Sequence, residues 1–123
     1  MKELPQISDS EWKIMKILWT VAPASASDII ESLKKATNWR PTTVKTLLSR
    51  LVKKKAVGFE QNNRTYYYYP LITEDECVKA ESQSFLKRVY GGALKVMIAN
   101  FLKTEELSKE DIDELKRILD EKK

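Results

Sequence analysis

The sequence predicts a mainly α-helical protein with one small β element, a hairpin placed between two groups of helices. Three observations carry that expectation. Apolar residues recur at the i, i+3, i+4 spacing of a helix face over most of the chain. The spacing gives way to alternation only around Val57–Phe59 and Thr65–Tyr69. Serine or threonine followed three residues later by an acidic residue recurs where the helical stretches begin, the pattern of a reciprocal cap. A length of 123 residues accommodates one domain, or one domain with an added oligomerisation segment.

The first helix is expected to start at Ser8, which makes a capping box with Glu11, while Ile7 is placed to staple against Trp12. Trp12, Met15, Leu18 and Trp19 form its apolar face, Ile14 and Ile17 widen it, and Pro23 ends it. The second helix follows Ala24-Ser25-Ala26-Ser27. Ser25 with Asp28, or Ser27 with Glu31, can cap it, and Ile29, Ile30 and Leu33 supply the buried side. Trp39 covers the corner before the next helix. Pro41 suits the first position of the third helix, where its missing N–H costs no bond. Arg40 is then the cap residue, with Thr42 as the other option.

The third helix carries the chemistry. Val44, Leu47, Leu48, Leu51 and Val52 share one face. The other holds Thr42, Thr43, Lys45, Thr46, Ser49, Arg50, Lys53 and Lys54, with no acidic residue. Such a helix can seal a core with one flank and offer cations and hydroxyls to phosphates and base edges with the other, as a recognition helix does in the DNA major groove. In isolation the stretch fits a solvated lysine-rich surface equally well, so its context decides. After it, Val57 and Phe59 alternate with Gly58 and Glu60. Asn62-Asn63 suits a tight turn, because asparagine tolerates positive φ, and Tyr66–Tyr69 place two tyrosines on each face of the returning strand. The outward tyrosines reflect either β-propensity or hydroxyls directed at phosphate oxygens; Tyr67 is the candidate for the second role. Helix, helix, basic helix and a hairpin with Arg64 at its tip define a winged helix–turn–helix.

Beyond the wing the pattern is helical. Thr73 with Glu76 reads as another capping box, and Val78, Phe85, Leu86 and Val89 lie near one face until Gly91-Gly92 breaks the run. Leu94, Met97, Ile98, Phe101 and Leu102 form a second stripe. Ser108 with Asp111 caps a last helix carrying Ile112, Leu115, Ile118 and Leu119. These stripes have little mass to cover them, so a homodimer is expected through Phe85, Leu86, Val89, Leu94, Met97, Ile98, Phe101, Ile112, Leu115 and Leu119. The expected division is a winged-helix DNA-binding domain over residues 1–71 and a helical dimerisation domain over residues 72–123.

Charge divides the same way. Residues 1–70 hold 12 Lys+Arg against 6 Asp+Glu, and residues 71–123 hold 10 against 12, so a polyanion partner is expected for the first part only. The chain has no histidine, no glycine-rich phosphate loop and no nucleophile elbow, so neither an enzyme nor a metal or cofactor site is expected. The single cysteine, Cys77, excludes an internal disulfide and reads as an incidental small side chain near a helix start. No apolar run is long enough to span a membrane and no signal segment is evident, so a cytoplasmic protein without membrane insertion is expected.

The sequence resembles the penicillinase-repressor family (BlaI/MecI type) over essentially its full length. The likeness rests on Ile7 through Met15 with Ile17-Leu-Trp19, on Trp39 through Leu51 with Lys53-Lys54, on the tyrosine-rich strand, on Phe85 through Gly92, and on Asn100-Phe101. It implies a dimeric repressor that binds an inverted-repeat operator at β-lactam-resistance genes and is removed by proteolysis under a membrane sensor–protease. By position it implies that Thr42, Thr43, Lys45, Thr46 and Arg50 face the groove and that cleavage falls at Asn100-Phe101. Four departures stand out. Arg40 replaces a common serine, Thr42 replaces a basic residue, Lys55-Ala56 replaces Lys-Gly, and the paired Cys-x-Cys motifs of copper-responsive relatives are missing. Two other readings compete: a ligand- or metal-responsive winged-helix regulator of another locus, and a protein-interaction module that does not bind DNA.

Overall fold

A computed structural model describes residues 4–122; the outermost positions of the two expected segments, 1–3 and 123, lie outside the described residues. The chain runs α1 (Asp9–Val21), β1 (Ala24–Ser25), α2 (Ala26–Leu33), α3 (Pro41–Lys53), β2 (Val57–Asn62), β3 (Thr65–Pro70), α4 (Glu74–Tyr90), α5 (Leu94–Thr104) and α6 (Lys109–Glu121). It divides into two compact units, one up to Glu81 and one from Ser82 onward. The divide therefore falls inside α4 rather than after Leu71. The reason is packing: Ile72 and Cys77 are buried with the core of the first unit.

In that unit α1, α2 and α3 surround one core, and a three-stranded antiparallel sheet of order β1-β3-β2 flanks it. Ile14, Met15 and Leu18 of α1 meet Ile29 and Leu33 of α2 and Val44, Leu47, Leu48 and Leu51 of α3. The apolar face of α1 is centred on Ile14, Met15 and Leu18, while Trp12, Ile17 and Trp19 sit half-buried along its margin. Trp19 uses its polar edge there, its indole N–H donating to the Ile72 carbonyl at 2.9 Å. The stripe begins with a surprise, since Glu11 occupies the position one turn before Ile14 and Met15 and is 1% exposed. Its carboxylate closes the capping box on Ser8, accepting from the Ser8 N–H at 2.8 Å.

Ser25, not Ser27, caps α2, with Asp28 as its reciprocal partner. Ser25 also belongs to β1, which the sequence pattern does not announce; Ala24 pairs with Tyr68 and Ser25 with Tyr67. Pro41 stands at the start of α3 and Arg40 at its N-cap, without a side-chain capping bond. The helix ends in a Schellman motif, the Ala56 N–H reaching the Leu51 carbonyl and the Lys55 N–H the Val52 carbonyl, both at 3.0 Å. Lys55 takes the left-handed position, φ 66°. The hairpin turns through Asn63 (φ 60°) and Arg64, with Asn62 opposite Thr65. Tyr68 packs on the core, whereas Tyr66 on the same face lies beyond it, exposed and edge-on to Phe59 at 4.9 Å. On the other face the Tyr69 ring covers Gly58, where an added Cβ would lie 2.9 Å from it.

Thr73 and Glu76 form the expected cap of α4. Cys77, not Val78, then turns into the core: its thiol is buried while Val78 is 42% exposed. The cysteine is the small side chain near a helix start that the sequence suggests, and it lies in the core.

The second unit contains the rest of α4 with α5 and α6. The α4 helix stops at Gly91-Gly92, where both φ angles are positive. Phe101 of α5 stacks on Phe85 at 6.3 Å and meets Tyr90 edge-on at 6.4 Å. Asn100 donates its side-chain N–H to the Tyr90 hydroxyl at 2.9 Å. Ser108 caps α6 with Asp111. No residue of α5 or α6 is buried.

Candidate nucleic-acid interface

The outer flank of α3 is a continuous polar surface. Thr42, Lys45, Thr46, Ser49, Arg50 and Lys53 are exposed along it, with Thr43 half-buried at its edge. Among the described residues no carboxylate forms an ion pair with Lys45, Arg50 or Lys53. Their charges are thus available to an anion from outside. The Thr46 hydroxyl donates to the Thr42 carbonyl at 2.9 Å, which fixes its rotamer and leaves its oxygen an acceptor. The inner flank explains why the outer one is displayed: Val44, Leu47, Leu48 and Leu51 lie in the core, so a rigid helix presents the cations.

Lys54 does not belong to that surface. Its ammonium turns inward to Glu11 Oε1 at 2.5 Å and to the Gln6 carbonyl at 2.9 Å. The expectation that Lys54 lines the polar flank with Lys53 is corrected by the buried carboxylate 43 residues earlier. Burial alone would raise the Glu11 pKa. The Lys54 ammonium and the Ser8 hydrogen bonds outweigh it and hold the carboxyl below its ordinary value. The second carboxylate oxygen, Oε2, has no hydrogen-bond partner among the described residues.

The wing adds Arg64, exposed at the turn, and Tyr67, half-buried on the central strand between its partners Ser25 and Glu60. In the second unit, Asn100 and Phe101 are both exposed, Phe101 by 44%. The expected dimerisation residues are likewise uncovered: Val89, Leu94, Ile98, Ile112, Leu115 and Leu119 are exposed, and Phe85, Leu86 and Met97 half-buried. Among the described residues no helix is long and apolar enough to cross a membrane.

Three helices, a sheet-borne wing and a basic third helix whose outer cations pair with no carboxylate among the described residues make this a winged helix–turn–helix protein of the nucleic-acid-binding type. Known proteins specify it further. The family model for the penicillinase repressor matches residues 7–121. The penicillinase repressor of Bacillus licheniformis is 42% identical over 123 residues, covering 100% of this chain and 96% of its own. The methicillin resistance regulatory protein MecI of Staphylococcus aureus is 37% identical over 117 residues, covering 95% of each chain. The solution structure of the Bacillus licheniformis BlaI monomer in complex with the blaP half-operator matches with a TM-score of 0.54 at 38% identity. That match covers 62% of this chain and 93% of the BlaI chain. The chain belongs to the penicillinase repressor family.

Proposed function

We propose that this protein is a dimeric transcriptional repressor that binds an inverted-repeat operator, of β-lactam-resistance genes, through α3 and the wing. The observation that carries the proposal is the outer flank of α3. Lys45, Arg50 and Lys53 are exposed cations that pair with no carboxylate among the described residues, on a helix whose other side is locked into the core. Thr42, Thr43, Thr46 and Ser49 supply hydroxyls beside them, and Arg64 with Tyr67 supplies a second contact to the flanking backbone. The uncovered apolar stripes of α4, α5 and α6 support a two-fold dimer, and a two-fold protein matches a two-fold operator. The site of action is the cytoplasm, and the protein acts by binding rather than by catalysis.

Proteolysis at Asn100-Phe101, under a membrane sensor–protease, is the proposed release. The bond lies within α5, so a protease reaches it only after local opening. Its exposed position and the Gly91-Gly92 interruption just before α5 favour that opening. Cutting there detaches α6, and with it the avidity of two linked half-sites.

The test is operator binding by Lys45→Ala and Arg50→Ala, measured on duplexes selected from a random pool by the wild-type protein. Each variant should lose about 1–3 kcal/mol where a base contact is removed, with specificity relaxed at one position. Wild-type affinity in both would refute the assignment of α3.

A further inference from the structure

We propose that Glu11 and Lys54 together limit the sequence-independent part of the affinity by holding one cation of the basic helix away from DNA phosphates; the inference rests on the DNA-binding reading above. Three consecutive lysines, Lys53, Lys54 and Lys55, close α3. All three residues lie at the surface, yet among the described residues only the middle one's ammonium has a partner. Two of its three N–H donors are taken, by Glu11 Oε1 and by the Gln6 carbonyl. Glu11 in turn is fixed by the capping box of α1, so the acceptor cannot follow the lysine outward. The same clamp joins the start of α1 to the end of α3 and sets the angle at which the helix presents Lys45, Arg50 and Lys53.

The consequence for recognition follows from how phosphate contacts act. Each ammonium placed on a phosphate strengthens binding to every sequence alike, because its contribution comes from released counterions. A lysine withheld from the backbone lowers the background without touching base readout. Glu11 is therefore a positioning residue that acts through Lys54, and the pair lowers affinity for operator and random sequence by the same factor while removing one contact from the salt dependence.

Salt dependence reads this directly, since each phosphate contact contributes a slope of about 0.9 in log K against log salt. The measurement uses a random-sequence duplex with the full-length protein, between about 50 and 200 mM salt, where one contact changes affinity by about 3.5-fold. Lys53→Met should lower the slope by about 0.9. The double variant Glu11→Gln/Lys54→Met, which leaves no unpaired buried carboxylate, should keep the wild-type slope. Glu11→Gln alone releases Lys54 and should steepen the slope by up to about 0.9. A double variant that loses slope as Lys53→Met does would overturn the proposal, because Lys54 would then be an ordinary phosphate contact. So would a Glu11→Gln slope equal to wild type. A flat salt response in the wild-type protein would sink the DNA-binding reading itself, and the inference with it.

Discussion

Replacing Lys54 by methionine should destabilise the first unit more than replacing Glu11 by glutamine, although both break the same ion pair. The asymmetry follows from burial. Glu11 is 1% exposed and its Oε2 already lacks a partner, whereas the Lys54 side chain is 34% exposed. In Glu11→Gln the released ammonium rehydrates, and the loss is about 1 kcal/mol, a partly screened contact. In Lys54→Met a carboxylate remains in the core. It can stay charged without its counter-ion, at about 3–5 kcal/mol, or take up a proton. From an ordinary value of 4.5, neutralising it at about pH 7 costs about 3 kcal/mol, which caps the loss. At about pH 5 the same step costs under about 1 kcal/mol, so most of the deficit should vanish.

The sign of the pH dependence also changes. In the wild type the folded pKa of Glu11 is depressed, so its stabilisation is complete above 4.5 and is lost as pH falls through the folded value. Without Lys54, burial, the largest single influence, is opposed only by the Ser8 hydrogen bonds; the expected outcome is that the folded form retains a proton that the unfolded form releases, so that stability declines as pH rises above 4.5. Urea denaturation followed by tryptophan fluorescence reads this unit alone, because Trp12, Trp19 and Trp39 all lie in it. Equal losses in the two variants, unchanged between about pH 5 and 7, would refute the reasoning.

Two further outcomes are expected. Lys55→Gly should raise stability by about 0.5–1 kcal/mol in the same assay, since φ 66° is disfavoured for a residue with a Cβ; a loss would mean that the lysine side chain compensates for its backbone. Leu115→Glu, at a side chain 38% exposed in the single chain, should shift sedimentation toward the monomer while leaving the fluorescence-monitored unfolding of the first unit unchanged. A variant that stays dimeric would move the interface off α6.

Much of this was legible in the sequence because the relevant signals are local. Ser8 with Glu11, Ser25 with Asp28 and Ser108 with Asp111 are capping boxes four residues long, and each sits where the spacing places it. The buried flank of α3 follows from periodicity alone, and so does the exposed flank that forms the candidate interface. The features that escaped depend on distant partners. A two-residue strand has no period to read, and β1 exists only because β3 passes beside it. Lys54 resembles Lys53 in every local respect and differs only in facing Glu11. The left-handed conformation at Lys55 falls on a residue type that gives no warning of it. Glu11 was recognisable as a cap, but the same stripe that includes Ile14, Met15 and Leu18 also made it a buried charge.

The central claim is that the exposed cations of α3 meet duplex DNA as one half of a two-fold complex. It is tested most directly by titrating wild-type protein onto a selected duplex with two inverted half-sites, and onto the same duplex with one half-site scrambled, over a range of salt. Log affinity should fall linearly with log salt, by several units of slope, and removal of one half-site should cost about 100-fold or more. Affinity indifferent to salt, or equal on the two duplexes, would contradict it.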